Sequence, residues 1–152
     1  MASITPSLWF NEDLEEALEL YTSVFGDATV HGVNRSSPDG PLLSAEFELV
    51  GQRFMALNYP SDFRFTEAAS LLISCTDQAE VDHYWDQLVV GGEESQCGWL
   101  KDRFGLSWQI VPKRLYELLS DPDPARANGA MQAMLQMQKI IVADLEAGAD
   151  NA

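Results

Sequence analysis

The side chains in this sequence best suited to chemistry are few: His31 and His83, Cys75 and Cys97, the neighbours Asp102 and Arg103, the cation Arg53 and the amide Gln109. The histidines have neither the HxxxH nor the HxH spacing that would put two imidazoles on one metal. They fall on a predicted second strand (His31) and an outer helix (His83) and read as surface or packing residues. Two cysteines in strand-like settings are too few for a disulfide framework and read as reduced, partly buried thiols. Asp102 and Arg103 precede the last predicted strand, where they are expected to shape its turn. No P-loop, GxSxG elbow, CxxC or HExxH occurs. Nor does the glycine-rich strand-to-helix turn on which S-adenosylmethionine-dependent methyl transfer usually relies. Catalytic residues are therefore not assigned from motifs, and whether a reaction is catalysed stays open.

The elements that must position these residues can be read from pattern. Residues 3–10, SITPSLWF, are expected to form a first strand, since Pro6 suits a strand start better than a helix interior. Asn11 can cap a helix starting near Asp13, whose Leu14, Ala17, Leu18, Tyr21, Val24 and Phe25 make one apolar stripe, with Gly26 placed to end it. ATVHGVN, LLSAEFELV and RFMALN then read as strands, the last two joined by a tight turn at GQ. From Ser70 the order repeats. SLLISC is a strand, TDQAEVDHYWDQLVV a helix capped at Thr76 or Asp77 and stopped by Gly91 and Gly92, and EESQC, GWLKD and FGLSWQIV are strands.

Two copies of strand, helix, three strands are the most informative feature, because each unit exposes an apolar sheet face that must be covered. The tail from Lys113 lies outside both copies. It holds a short helical turn (RLYELLSD), a loop whose Pro124 can open a helix, and a Met-rich helical run, AMQAMLQMQKIIVADLEAG. Such Met-rich surface is adaptable and suits a core or a subunit interface. The chain has the length of one domain, and 1–152 is expected to be one.

Nine basic against 24 acidic residues give a formal charge of -15, which repels phosphate backbones and anionic lipid headgroups. Nucleic acid and membrane surfaces are not expected partners. No apolar stretch reaches the length of a membrane span, the N-terminus lacks a basic segment followed by an apolar one, and a cytoplasmic location is expected.

The segments ITPSLWFN, EEALELYTSVFG, FELVGQRFMALN, EVDHYWDQL, GGEESQCGWLKDRFGLSWQIVP and DPDPARANGAMQAMLQM together resemble, across residues 3–147, the PhnB-like proteins of the vicinal oxygen chelate superfamily. This superfamily holds glyoxalases, bleomycin-resistance proteins and extradiol dioxygenases, and many PhnB-like members carry the name 3-demethylubiquinone-9 3-methyltransferase. The resemblance implies an α+β fold of two paired βαβββ modules, residues 3–59 and 69–112, with a helical extension at 113–147. It also implies sheets that curl into halves of a cup, a small ligand in that cup, and a homodimer.

Enzymes of the superfamily hold a divalent metal in the cup through His, Glu or Gln on the first and last strands of the modules. The corresponding positions here are Thr5, Met55, Ser70 and Gln109, of which only Gln109 is a suitable ligand. Neutral hydroxyls bind divalent ions poorly without carboxylate or imidazole help, and a thioether prefers soft metals. No metal and no cofactor are therefore expected. Strand alternation puts Thr5, Ser7 and Trp9 on the cup side with Arg53, Met55 and Leu57, then Ser70, Leu72 and Ser74, then Ser107, Gln109 and Val111. Trp108 and Ile110 are left under the helices. The mixture suits a modest apolar or aromatic molecule with a few polar anchors. Arg53 either meets an anionic group of that ligand or is a solvated strand-edge charge, and Trp9 either faces ligand or packs in the core. The leading expectation is a small-molecule-binding protein without a metal. The alternatives are a metal-dependent lyase, isomerase or dioxygenase of the glyoxalase type, and a structural or regulatory dimer without a ligand.

Overall fold

In a computed structural model that describes all residues 1–152, the N-terminal part builds one four-stranded sheet and one helix. They are β1 (Ser7–Phe10), α1 (Leu14–Val24), β2 (Thr29–Arg35), β3 (Leu42–Leu49) and β4 (Gln52–Asn58). The strand order is β1-β4-β3-β2, with β1 parallel to β4 and the other pairs antiparallel. A parallel pair cannot be closed by a hairpin, so the chain must cross over, and α1 occupies the crossover. Its Leu14, Ala17, Leu18, Tyr21 and Val24 are buried, as are Phe10, Ala45, Phe47, Phe54 and Ala56 of the sheet. Phe47 and Phe54, opposite one another on β3 and β4, stack with ring centroids 5.3 Å apart. Two departures from the sequence reading stand out. Strand β1 starts at Ser7, so Thr5 precedes it, and Asn11 does not cap α1. Asn11 Nδ2 instead donates to the Phe63 carbonyl (2.9 Å), and its Oδ1 accepts from Ser61 Oγ (2.8 Å).

The cap comes from the far end of the sheet. Glu12 sits at a φ of 127°, which turns the chain so that two free NH groups converge on the buried Asn58 carboxamide. Asn58 Oδ1 accepts from Glu12 N (2.8 Å) and Leu14 N (3.3 Å), and its Nδ2 donates to the Leu42 carbonyl (2.8 Å). One side chain thus satisfies backbone groups of a helix start and a neighbouring strand.

The second unit, residues 65–152, repeats the topology. It holds β5 (Ser70–Cys75), α2 (Gln78–Leu88), β6 (Glu93–Glu94), β7 (Trp99–Lys101) and β8 (Ser107–Pro112), in the order β5-β8-β7-β6 with β5 parallel to β8. Here the cap is local: Asp77 Oδ1 accepts from Glu80 N (3.0 Å), and Glu80 Oε1 accepts from Thr76 N (2.8 Å), a reciprocal pair. Val81, Trp85 and Leu88 of α2 are buried, and so are Trp108 and Ile110 of β8, as their alternation predicts.

The expected strand EESQC shrinks to two residues. Cys97 (φ 59°) and Gly98 (φ 85°) turn the chain away, and their NH groups donate to the carbonyls of Met137 and Gln138, both at 2.8 Å. This pairing also breaks the Met-rich run into α4 (Pro124–Leu135) and α5 (Val142–Asp150), which follow the short α3 (Lys113–Leu119). Between them Ile140 is fully buried, and Gln78 of α2 donates to its carbonyl (3.0 Å) while accepting from Val142 N (2.7 Å). Lys139 reaches Asp82 (3.0 Å) and Asp86 (2.8 Å) of α2. These tertiary bonds to the backbone outweigh helical propensity over residues 137–140. Helices α4 and α5 cross backbone to backbone at Gly129 and Gly148, where a Cβ on Gly129 would stand 2.2 Å from the Gly148 carbonyl oxygen. No helix is long and apolar enough to cross a membrane.

Replacing Asn58 by alanine strips partners from the NH groups of Glu12 and Leu14 and from the Leu42 carbonyl, the last two buried bonds. The Asn58→Ala variant is expected to lose about 3 kcal/mol of unfolding free energy in urea titration, and a loss below about 1 kcal/mol would contradict the capping role.

Candidate functional site

Each sheet has one face under its crossover helix and a second face that carries the site candidates. In the first unit the parallel register sets Ser7 beside Met55 and Trp9 beside Leu57, while Arg53 and Met55 lie opposite Glu48 and Glu46 of β3. Ser7 and Met55 are exposed and Trp9 is half-buried. The Trp9 indole NH donates to the Tyr59 carbonyl (3.0 Å), and its ring meets Phe63 edge-on at 5.2 Å. Trp9 is thus held by the loop after β4. Thr5, outside the strand, is exposed.

Arg53 is not a free cation. Its Nη1 lies 2.6 Å from Glu46 Oε1 and its Nε 3.6 Å from Glu48 Oε1, and His31 Nε2 stands 3.3 Å from that same Glu48 oxygen. An anion approaching Arg53 must compete with two carboxylates already in place. His83, on α2, lies beside Gln87, whose Nε2 is 2.9 Å from the His83 Nδ1. Both histidines are thus engaged on the strand and helix expected for them.

In the second unit the register sets Ser70 against Ser107, Leu72 against Gln109 and Ser74 against Val111. Gln109 Nε2 donates to Ser70 Oγ (2.9 Å), which joins two of the proposed site residues directly. Ser74 is exposed and stands apart from them. Val111 shares the face of Gln109 by register, yet it is buried with Leu115, Leu118, Ala130, Ile140 and Leu145, because the helical extension packs over that end. On the same face, β7 presents Trp99 opposite Gln109 and Lys101 opposite Ser107.

These last residues open onto a cleft of about 100 Å³ lined by Glu67, Glu93, Glu94, Ser95, Trp99, Leu100, Lys101 and Ser107. Lys101 pairs with Glu67, and the bonded ammonium holds the Glu67 carboxyl below its usual range. Glu94 Oε1 accepts from the Trp85 indole NH at 3.4 Å. Ser107, though 1% exposed, has an Oγ with no hydrogen-bond partner. Alternation in the sequence marks Ser107 as facing this way, but the cleft escapes it. Its acidic rim depends on the two-residue β6, set in register by Gly92, where a Cβ would stand 2.0 Å from the Lys101 carbonyl oxygen.

The turn leading into β8 is built on Asp102, as its position suggests. The buried carboxylate accepts from Phe104 N (2.9 Å), Leu106 N (3.1 Å) and the Trp108 indole (2.9 Å). Arg103 lies over the Phe104 ring at 4.9 Å.

The donor set for a divalent metal is poor. Of Thr5, Met55, Ser70 and Gln109, the positions the resemblance suggests for a metal, only Gln109 offers a suitable oxygen, and its amide nitrogen is already bonded to Ser70. No group of three or more His, Cys, Asp or Glu side chains is arranged to hold a metal. The residues present do not fit the ion.

The family model described as 3-demethylubiquinone-9 3-methyltransferase matches residues 2–111. A PhnB protein from Bacillus cereus is 30% identical in a match that covers 73% of this chain and 99% of that one, with a TM-score of 0.68. A Pseudomonas aeruginosa protein, 21% identical over 74% of this chain and 98% of its own, superposes with a TM-score of 0.63. The fosfomycin resistance protein FosX of Listeria monocytogenes, solved with Mn(II) and sulfate, is 14% identical over 72% of this chain and 91% of that one, with a TM-score of 0.54, a likeness of fold alone. No curated protein matches the chain in sequence.

Cys75 is fully buried, and burial, with Glu80 and Asp77 nearby, pushes its thiol up to about 12. It should therefore stay protonated and unreactive up to pH 9. Iodoacetamide at pH 8 is expected to leave Cys75 unmodified in the native protein and to alkylate it in urea, read by peptide mass spectrometry; rapid native alkylation would show the site to be open.

Proposed function

The chain belongs to the 3-demethylubiquinone-9 3-methyltransferase family, within the vicinal oxygen chelate superfamily, and from that premise we propose that it binds a small organic molecule on the helix-free side of its sheets without using a metal. The observation that carries this reading is the fate of the superfamily's ligand positions. Thr5 lies outside the strand, Met55 offers a thioether, and Ser70 and Gln109 are bonded to one another. A site that keeps its sheet framework but lacks carboxylate and imidazole donors is suited to recognition by shape and hydrogen bonds.

Methyl transfer, named in the family's description, finds no glycine-rich strand-to-helix turn here, and the mixed sheets are not the alternating parallel α/β arrangement that usually supports it. The fold by itself does not select a reaction. In the first unit Trp9 and Met55 offer apolar contact and Ser7 a polar anchor; in the second Trp99 offers apolar contact, and Ser70 and Gln109 offer polar anchors. Glu46 and Glu48 neutralise Arg53, which favours a neutral or cationic ligand over a carboxylate or phosphate.

Metal analysis of untagged protein purified without chelator tests the reading. The expected result is no stoichiometric divalent ion and a melting temperature that moves by less than about 1 °C on adding Zn, Ni, Mn or Fe(II). A small-molecule screen should in contrast yield compounds that raise the Tm by about 5 °C or more at a hundredfold their Kd. A stoichiometric metal would overturn the proposal in favour of a metal-dependent lyase, isomerase or dioxygenase.

We propose also that the protein is a homodimer joined through its helical extension, where Tyr116 of α3 and Met131 and Leu135 of α4 are exposed apolar side chains. Light scattering after size exclusion should give twice the chain mass, and Met131→Lys with Leu135→Lys should give one chain. A wild-type monomer at high protein concentration would refute it.

A further inference from the structure

The cleft beside β7 combines two features that the preceding proposal leaves unused. Its carboxylates outnumber its cations, since Glu67 and Glu93 face a single Lys101 that is itself paired to Glu67. Glu93 lies on β6 directly opposite Lys101, while Glu94, opposite Leu100, turns to the helix side of the sheet and accepts from Trp85. Independently of this charge, Ser107 lines the cleft as an enclosed hydroxyl without a partner. Buried hydroxyls are nearly always bonded, so an orphan lining an open cleft points to a group that enters from outside.

We propose that this cleft binds the ammonium head of a small organic amine. An ammonium carries three N–H donors and no acceptor. One donor meets Ser107 Oγ and another meets the Glu93 carboxylate on the same face, while the adjoining carbon rests against the half-buried Trp99 ring as a cation–π contact. The volume of about 100 Å³ equals the share of about three water molecules. It therefore admits the amino end of a molecule with a short alkyl stem. The carboxylates repel anions. A bare divalent ion is disfavoured because one carboxylate is tied to Lys101 and no three donors converge. The chain's charge of -15 raises the local concentration of cations around the mouth. The inference turns on Glu93 and Ser107, which the metal-free binding proposed above does not use, so the two readings fail separately.

The test is an NMR titration of the full-length, isotope-labelled protein with ethylammonium chloride, run beside sodium chloride and ethanol at matched concentration. Expected are saturable shifts at the Trp99 indole NH and at the amides of Ser95, Lys101 and Ser107, absent with sodium chloride and ethanol. Glu93→Gln and Ser107→Ala should each weaken binding by about tenfold while keeping the wild-type melting temperature. The Glu93 variant, at an exposed position, keeps the test valid if Ser107→Ala alters folding. No shifts, unsaturated shifts spread over the acidic surface, equal shifts with ethanol or sodium chloride, or unchanged affinity in both variants would overturn the proposal.

Discussion

In both halves of this chain the first strand runs parallel to the last, β1 with β4 and β5 with β8, and the remaining arrangement follows from that pairing. A parallel neighbour cannot be reached by a tight turn, so a helix must carry the chain across one face of the sheet. That helix buries Phe10, Phe47 and Phe54 in one unit and Trp108 and Ile110 in the other. The opposite face is left without a helix of its own module. That face carries Ser7, Trp9, Met55, Ser70 and Gln109, while the crossover helix covers the core side of each sheet.

The two modules solve the same local problem with different chemistry. At the start of α2, Asp77 and Glu80 satisfy the free NH groups from within the helix. At the start of α1, Asp13 makes no side-chain cap bond and the task falls to Asn58, at the end of β4. Asp102 is likewise filled by three donors. Against this background of satisfied buried polar groups, Ser107 is the exception. Exceptions of this kind concentrate where proteins meet other molecules.

The periodic parts of the fold were legible from sequence. The stripe from Leu14 to Phe25 and the repeat of strand, helix, three strands express local rules, as does the β3–β4 turn, expected at Gly51-Gln52 and formed one residue earlier by Val50 and Gly51, both with positive φ. The alternation that put Trp108 and Ile110 under the helices did so too, and Asp102 announced itself by position. What escaped was decided by distant partners. Asn11 has the type of a cap residue, but the turn at Glu12 hands the free NH groups to Asn58. The run 130–148 reads as one helical run, yet Cys97, Gly98 and Gln78 claim the backbone of residues 137–142, where the β-branched Ile140, Ile141 and Val142 favour a helix least. In the candidate site, the bond from Gln109 to Ser70 joins two residues that alternation had only placed on one face. The carboxylate partners of Arg53 could be found only by knowing which residues of β3 lie opposite β4.

The bonds from Cys97 and Gly98 to Met137 and Gln138 have a bearing on biosynthesis. The second sheet receives these partners only from chain made well after its last strand, β8. On the ribosome the β6–β7 region must wait with those NH groups unmatched until the segment after α4 emerges. The order of synthesis therefore runs against the order of completion in this half of the protein.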